Sequence, residues 1–380
     1  MYRSDLVAVV VPAYNEGAHV REVIETLPSV VDRAYVVDDA STDDTWAEIR
    51  TAMRSTPAGR TFDAPDDAMR DPGDDGPGDG GVTDGGGAHL TCRSLPEELP
   101  VRVPPADAGP AIVAVRHDEN RGRGAAVKTG YRLAMDDDMD VVAVMDGDGQ
   151  MDPRNLERVV HPVATGQADY AKGNRLDGPE YWRGMSGWRL FGNALLTGLT
   201  CVSTGYWGLR DPQNGYTAIA RSTLEDLPLE DLYDGYGFLN DVLGELSIAG
   251  ARVTDVSLPA VYGDEESGIT YSQFVPAVST LLLVNFLRRL YVAGTHRRRI
   301  SLPAAYGLAA GGWLSAVVTT MAEVVPGGGV QAAAAATAGV GGGPAVLAAT
   351  ASLATLLALV LDRRTNAVLD AGDGTVVDTG

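Results

Sequence analysis

Lysine is nearly missing from this sequence: of 30 basic residues among 380, only Lys128 and Lys172 are lysine. Cysteine is equally scarce, with Cys92 and Cys201 alone, and two distant thiols supply neither a disulfide framework nor a zinc spacing. The five histidines are scattered and form no metal pair. Positive charge is short overall. The 30 Lys+Arg against 51 Asp+Glu leave −21, which speaks against a nucleic-acid binder, because such a protein needs a basic face for phosphate. A secretory leader is also missing: the apolar run 6–11 is cut at Pro12, too short for a signal core, so the N-terminal part is expected in the cytosol. An acidic, lysine-poor surface suits a salt-rich, halophilic cytoplasm, where counter-ions screen self-repulsion.

What is present begins with 45% hydrophobic residues, enough for a core, in a length that allows about two domains. Residues 7–11 (VAVVV) are a continuous β-branched run of the kind buried on both faces of a sheet. Residues 35–37, 112–115 and 141–145 repeat the form. Helical segments between them, one opened by the capping chemistry of Ser41, Thr42, Asp43 and Asp44, imply a parallel α/β sheet. Residues 63–89 interrupt this pattern with eight Asp, eight Gly and one Arg. Such a stretch cannot build a core and reads as an acidic, partly disordered insertion within 63–110, with a tolerated surface loop as the plainest explanation.

The C-terminal third changes character. Residues 302–321 and 324–361 carry no charge, and each can supply the roughly 20 apolar residues that span a bilayer. Pro326 and the glycines after it separate them. Arg288, Arg289 and residues 296–299 (HRRR) precede the first, and Arg363 and Arg364 follow the second. Positive charge at both outer ends and none between predicts a two-helix hairpin with both ends in the cytoplasm, and basic flanks able to pair with anionic headgroups. A pair of Ala-rich core helices is the alternative. Residues 274–287 read either as an interfacial helix or as a core helix that docks the hairpin.

The strongest chemical signal is VVAVMDGDGQMDP. Asp146 and Asp148 follow directly on a strand, and ligands of open α/β sheets sit at the carboxyl ends of strands. Two carboxylates there, with Gln150 beside them, suit Mg2+ or Mn2+ bridging a nucleotide diphosphate. A calcium-loop reading of Asp146, Asp148, Gln150, Asp152 and Glu157 meets Met151 where that loop needs Gly, and a strand where it needs a helix. Other strand ends are similarly equipped. Tyr14, Asn15 and Glu16 end the first, Asp38 and Asp39 the second, and NRGRGAAVKTG follows the third, its glycines allowing close backbone approach to phosphate.

Together PAYNE, VVDDASTDDT, NRGRGAAVKTG, MDGDGQMDP and KGNRL resemble the family 2 nucleotide-sugar glycosyltransferases of GT-A fold. Within them the chain is most similar to polyprenyl-phosphate sugar synthases, the dolichyl-phosphate mannose and glucose type, over about residues 5–260. The resemblance implies a Rossmann-like, mostly parallel catalytic domain over 1–262, a juxtamembrane segment over 263–300, two transmembrane helices over 301–362 and a cytoplasmic tail over 363–380. It implies that Pro12, Tyr14, Glu16 and Asp39 hold base and ribose. Lys128, Asp146, Gly147, Asp148 and Arg175 complete the nucleotide site, with the metal at Asp146, Asp148 and Gln150. Asp148, Arg175 and Asp241 are the implied catalytic groups, and RDPQNGY and GYGFLNDVLGEL form the acceptor side. Where such synthases carry an arginine for the acceptor phosphate, this chain has Glu265, leaving Arg175, Arg183, Arg189 or Arg210 for that task.

The expected activity is metal-dependent, inverting transfer of a sugar from a UDP- or GDP-linked donor to a polyprenyl or dolichyl phosphate at the membrane lipid surface. A phosphate acceptor is already anionic and needs orientation by arginine more than a base. A hydroxyl acceptor on a saccharide or lipid would need one, and Asp241 or Glu245 would then serve. A non-enzymatic, membrane-anchored calcium-binding or scaffold protein is the reading of another class.

Overall fold

The computed structural model describes residues 5–55, 110–175, 187–235, 237–258, 271–295, 301–324 and 343–371. The acidic stretch 63–89, Pro326, Arg183, Glu265 and Arg297 to Arg299 lie outside them, as does the side chain of Arg189. The chain divides into two compact units, Met1–Glu157 and Arg158–Gly380, the division falling inside the stretch expected as one 1–262 domain.

The first unit holds β1 (Val7–Ala13), α1 (Val20–Glu25), β2 (Arg33–Asp38), α2 (Thr45–Ser55), β3 (Ala111–Arg116), α3 (Arg123–Asp136) and β4 (Val141–Val144). The strands run β3-β2-β1-β4, all parallel, with Val10 opposite both Tyr35 and Val144. This is the alternating α/β pattern that the β-branched runs predict. Every residue of β1 is buried, and each fully buried Val side chain contributes about 1.5–3 kcal/mol. Gly130 of α3 lets that helix lie against β1, since a Cβ there would sit 2.3 Å from Val10 Cγ1. Two aspartates tie down the start of β1: Val7 N–H donates to Asp32 and Leu6 N–H to Asp140, both at 2.8 Å.

After α4 (Leu156–Ala164), the second unit holds β5 (Tyr170–Asn174), α5 (Gly187–Thr204), β6 (Thr217–Ala220), α6 (Arg221–Glu225), α7 (Phe238–Ala249) and β7 (Val253–Ser257). Here β5 lies antiparallel to β6 and parallel to β7. Three long helices follow: α8 (Tyr271–Thr295), α9 (Ser301–Val324) and α10 (Pro344–Asn366).

Among the described residues three stretches are long and apolar enough to cross a membrane, by length and composition: Pro276–Thr295, Ser301–Ala322 and Pro344–Leu369. The first differs from the others in its surroundings. Val278, Leu282, Asn285, Arg289 and Ala293, spaced three or four apart, form its buried face. That face packs on α5 and α7 through polar contacts. Asn285 Nδ2 donates to Asp241 Oδ1 at 3.0 Å, Ser203 Oγ donates to Leu282 O at 2.7 Å, and Arg288 pairs with Glu245. Leu283, Val284, Leu287 and Tyr291 are exposed on the other side. One face of this helix is packed against α5 and α7, and the opposite face keeps large apolar side chains exposed.

Helices α9 and α10 run antiparallel. Tyr306 Oη donates to Asp362 Oδ2 at 2.8 Å near one end, and Trp313 Nε1 donates to Thr355 Oγ1 at 3.3 Å further along. Leu302, Ala309 and Ala316 on one helix and Leu347, Ala351 and Ala358 on the other are buried. Small side chains at this seam allow the close approach typical of apolar helix pairs: a Cβ on Gly312 would lie 3.0 Å from that of Ala351.

The base of the hairpin is polar. Arg289, expected as a headgroup-facing flank, is instead buried and ion-paired with Asp362 at 2.7 and 2.8 Å. It also donates to the carbonyls of Ser203 (2.9 Å) and Val202 (2.7 Å). A buried guanidinium requires such partners, and the carboxylate that pairs with it lies 73 residues away.

Candidate active site

In the first unit the carboxyl ends of four parallel strands bring four loops to one edge of the sheet, where α/β folds bind ligands. The loops after β1 and β2 are stitched together. Asn15 N–H donates to Ser41 Oγ (2.9 Å), Thr42 N–H to Asn15 Oδ1 (2.9 Å) and Glu16 N–H to Thr45 Oγ1 (2.7 Å). Asn15 and Ala40 both adopt left-handed backbone, φ 57° and 60°, so each loop turns sharply at its strand end. This leaves Tyr14 exposed at 44%, Glu16 half-buried and Pro12 buried.

Asp38 and Asp39 are almost fully buried. Asp38 pairs with Arg116 at 3.0 Å and accepts from Ser41 N–H at 3.1 Å. Asp39 gathers the β3–α3 loop. It accepts from Gly122 N–H at 2.7 Å and Arg121 N–H at 3.0 Å, and meets His117 Nδ1 at 2.7 Å. Thr129 Oγ1 holds the other ring nitrogen at 2.9 Å. The carboxylate expected at the base and ribose thus already organises Gly122, whose φ of 96° starts α3. Lys128, on the same helix, is buried at 6% exposure.

The chain stays paired to β1 beyond β4: Met145 N–H donates to Val10 O at 3.0 Å and Gly147 N–H to Pro12 O at 3.1 Å. Gly147 lies flush on that strand, where a Cβ would come within 3.3 Å of Ala13 Cβ and Pro12 O. Asp146 and Asp148 flank it, both half-buried rather than sealed in the core. Arg123, the first residue of α3, clasps Asp146 Oδ1 through Nε and Nη2, both at 2.7 Å. Asp148 Oδ1 accepts from Gln150 N–H at 2.9 Å in a tight Asx turn.

This donor set is all oxygen, the chemistry hard divalent ions select. It is small: among the described residues no group of three or more His, Cys, Asp or Glu is gathered to hold a metal. Two carboxylates and the Gln150 amide fit an ion whose remaining ligands come from a diphosphate, and fit poorly an ion caged by protein alone. The calcium-loop alternative lacks its entering helix, because the strand β4 (Val141–Val144) precedes Asp146, and Met151 stands at its glycine position.

In the second unit Arg175 follows β5 directly. Its Nε donates to Asp211 Oδ2 at 2.9 Å and its N–H to the same oxygen at 3.2 Å. Burial would raise the Asp211 carboxyl, but the charges of Arg175 and Lys172 outweigh it and hold the group below the usual carboxylate range. Lys172, fully buried on β5, donates to the carbonyls of Asp211 and Asn214. Burial pushes the neighbouring Asp255 up to about 7 against the pull of Lys172. The Arg210 N–H donates to Asp255 Oδ2 at 2.8 Å, and Gln213 Nε2 reaches Asn240 Oδ1 at 3.2 Å.

Asp241 sits on α7, and both of its oxygens are engaged, by Tyr233 N–H at 2.9 Å and by Asn285 of α8. Glu245, one turn on, is raised by burial against the opposing charge of Arg288, its partner. Cys201 is an inert core thiol, pushed up to about 12 by burial. Sequence reasoning did not single out Arg123, His117, Asp211 or Asp255. A lysine within a strand, in a chain with two lysines, is the one local sign of a buried charge cluster.

Residues 8–61 and 105–227 match the family model "Glycosyl transferase family 2". Among curated relatives, a UDP-N-acetylglucosamine–dolichyl-phosphate N-acetylglucosaminyltransferase of Methanococcus voltae is 30% identical over 116 residues, 30% of this chain and 46% of that one. An undecaprenyl-phosphate mannosyltransferase of Micrococcus luteus is 29% identical over 168 residues, 42% of this chain and 64% of that one. The chain therefore spans about half to two thirds of the length of the curated relatives it matches. Among solved structures, glucosyl-3-phosphoglycerate synthase from Mycobacterium tuberculosis, in complex with Mn2+, UDP and its product, aligns at 18% identity and a TM-score of 0.44, covering 76% of this chain and 80% of that one.

Proposed function

We propose that this protein transfers a sugar from a nucleotide diphosphate sugar to a polyprenyl phosphate of the dolichyl type, with inversion at the anomeric carbon. The observation that carries this reading is the presence, in one chain, of a family 2 unit with an acid pair at a strand end and a hairpin of apolar helices. Its two named relatives both bear the name of a transferase acting on a polyprenyl phosphate.

Asp146, Asp148 and Gln150 would hold Mg2+ or Mn2+, which supplies Lewis-acid neutralisation of charge on the leaving diphosphate. The stitched loops after β1 and β2 present Tyr14 and Glu16 to the nucleoside. Asp39 acts by fixing the β3–α3 loop, so that Gly122 and the N-terminus of α3 stay in place for phosphate. Arg123 steadies Asp146 before the donor arrives. Arg175 orients the acceptor phosphate, whose own oxygen is the nucleophile, so no side chain need remove a proton. The partners held by Asp241 and Glu245 support this choice over a hydroxyl acceptor, because a general base must be within reach of its proton and neither carboxylate is at liberty.

We read α9 and α10 as the two membrane spans and α8 as the helix that docks them, with the catalytic part and both hairpin ends cytoplasmic. The GT-A domain over 1–262, the juxtamembrane segment over 263–300 and the tail over 363–380 belong to the same proposal. The test uses membranes containing the full chain, a panel of labelled UDP- and GDP-sugars, and a polyprenyl phosphate. The expected product is an acid-labile lipid-linked sugar that disappears in Asp146→Ala and Asp148→Ala. Transfer only to a saccharide or lipid hydroxyl overturns the acceptor; transfer that survives both substitutions overturns the metal site.

A further inference from the structure

In the first unit, one buried side chain ties three elements together beside the expected donor site. His117 follows β3 directly and is engaged at both ring nitrogens. Nδ1 lies 2.7 Å from Asp39 Oδ1, at the end of β2, and Nε2 lies 2.9 Å from Thr129 Oγ1, on α3. The His117 N–H donates to Asp38 O at 2.9 Å, which continues the pairing of β3 with β2 by one residue. The backbone thus fixes where the ring stands, and its two nitrogens fix its plane.

Asp39 closes the loop that comes next. Residues 118–121 are exposed, and the one carboxylate holds both ends of that stretch. His117 precedes it. At its far end Arg121 N–H donates to Oδ1 at 3.0 Å and Gly122 N–H to Oδ2 at 2.7 Å. Asp39 is itself anchored to β1, its N–H donating to Ala13 O at 2.9 Å. Gly122 is the N-cap of α3, and its carbonyl accepts from Ala126 N–H at 3.2 Å.

An attachment at Gly122 fixes where α3 starts. A second one further along fixes its direction relative to the strand ends. Thr129 supplies that second point about two turns into the helix, where its hydroxyl also reaches Ala125 O at 3.1 Å. With Asp39 on Gly122 and His117 on Thr129, the helix is gripped twice from a single carboxylate. Hydrogen bonds to a buried, ionised acceptor are short and strong. Without the ring, Asp39 Oδ1 would keep only the Arg121 N–H among the described residues.

We propose that His117 is a positioning residue for the nucleotide donor: Nδ1 aims the Asp39 carboxylate at Arg121 and Gly122, and Nε2, held by Thr129, aligns the ring, so that the start of α3 is set for the diphosphate. This rests on the reading that the β3–α3 loop meets the donor. The experiment titrates UDP and GDP with Mn2+ into the full chain in mild detergent by calorimetry, and measures acceptor KM with farnesyl phosphate and the sugar nucleotide that the wild type uses. Asp39→Ala tests the reading, and a nucleotide affinity equal to wild type overturns both. His117→Ala tests the inference: affinity for the nucleotide that the wild type binds falls about tenfold, the worth of a hydrogen bond to a charged group, while acceptor KM stays within about twofold. Added to Asp39→Ala, it costs nothing further, since it acts only through that carboxylate. Two amides separate positioning from filling of the core. An asparagine amide reaches where Nδ1 lies and a glutamine amide where Nε2 lies. His117→Asn is therefore expected within about threefold of wild type, and His117→Gln is expected to resemble His117→Ala. Unchanged nucleotide affinity in His117→Ala, a further loss in the double variant, or equal affinities in His117→Asn and His117→Gln overturns the inference and leaves the reading intact. A histidine that served the core alone would lower Tm in all three variants with no such difference between the two amides.

Discussion

Removal of Asp362 gives the sharpest stability test. Its carboxylate is fully buried and takes both arms of Arg289, the hydroxyl of Tyr306 and the amide of Asn366. Asp362→Ala leaves a guanidinium, itself 6% exposed, with backbone carbonyls of Ser203 and Val202 and, among the described residues, no ion-paired carboxylate. Breaking a buried pair from one side costs about 3–5 kcal/mol. For a unit of this size that lowers Tm by about 6–20 °C. Arg289→Met with Asp362→Leu removes both charges and is expected to regain at least half of that loss, since desolvation of the pair is relieved. The assay is thermal unfolding of the full chain in a mild detergent, followed by loss of soluble protein and by intrinsic fluorescence. A single variant within about 1 kcal/mol of wild type, or a double variant worse than the single, refutes the assignment of Arg289–Asp362 as a buried clamp at the hairpin base.

Other outcomes are equally checkable. Gly130→Ala forces a methyl onto Val10 and should destabilise the first unit by about 1–3 kcal/mol, seen as a lower midpoint in denaturant; an unchanged midpoint contradicts the α3–β1 packing. Asp255 has its folded pKa raised to about 7, so the stability it contributes is full below the unfolded carboxylate value and fades as pH rises towards 7. Asp255→Asn should therefore gain Tm relative to wild type on going from pH 5 to pH 8, and a difference flat with pH would contradict that. Arg123→Ala unclasps Asp146, so Mn2+ affinity without nucleotide should rise, read by titration calorimetry; weaker binding would show that the arginine does not compete for that carboxylate. With 51 acids against 30 bases, Tm should climb with KCl, and greater stability at low salt would oppose salt adaptation.

Much of the fold is legible because its signals are local. The β-branched runs, the capping residues after β2 and the Asp-Gly-Asp at the end of β4 depend on neighbours in sequence, and all fall where periodicity and turn chemistry place them. The motif set identifies the family for the same reason. The role of α8 was not legible. Its composition is that of a span, and its contacts with α5 and α7 come from residues far away in sequence. Composition reports what a helix is able to bury, not against what.

The sequence by itself determined which residue types stand at each strand end, and hence the chemistry on offer: acids after β2 and β4, glycines before α3, an arginine after β5. The tertiary structure decided which of those groups remain able to meet a ligand. Asp39 is taken up by a loop about 80 residues away and Asp241 by a helix 44 residues away, while Arg175 is held from behind by an acid 36 residues on. Carboxylates and guanidinium groups are strong hydrogen-bonding partners wherever the chain brings them close. Their availability is therefore set by contacts distant in sequence, which no local pattern encodes.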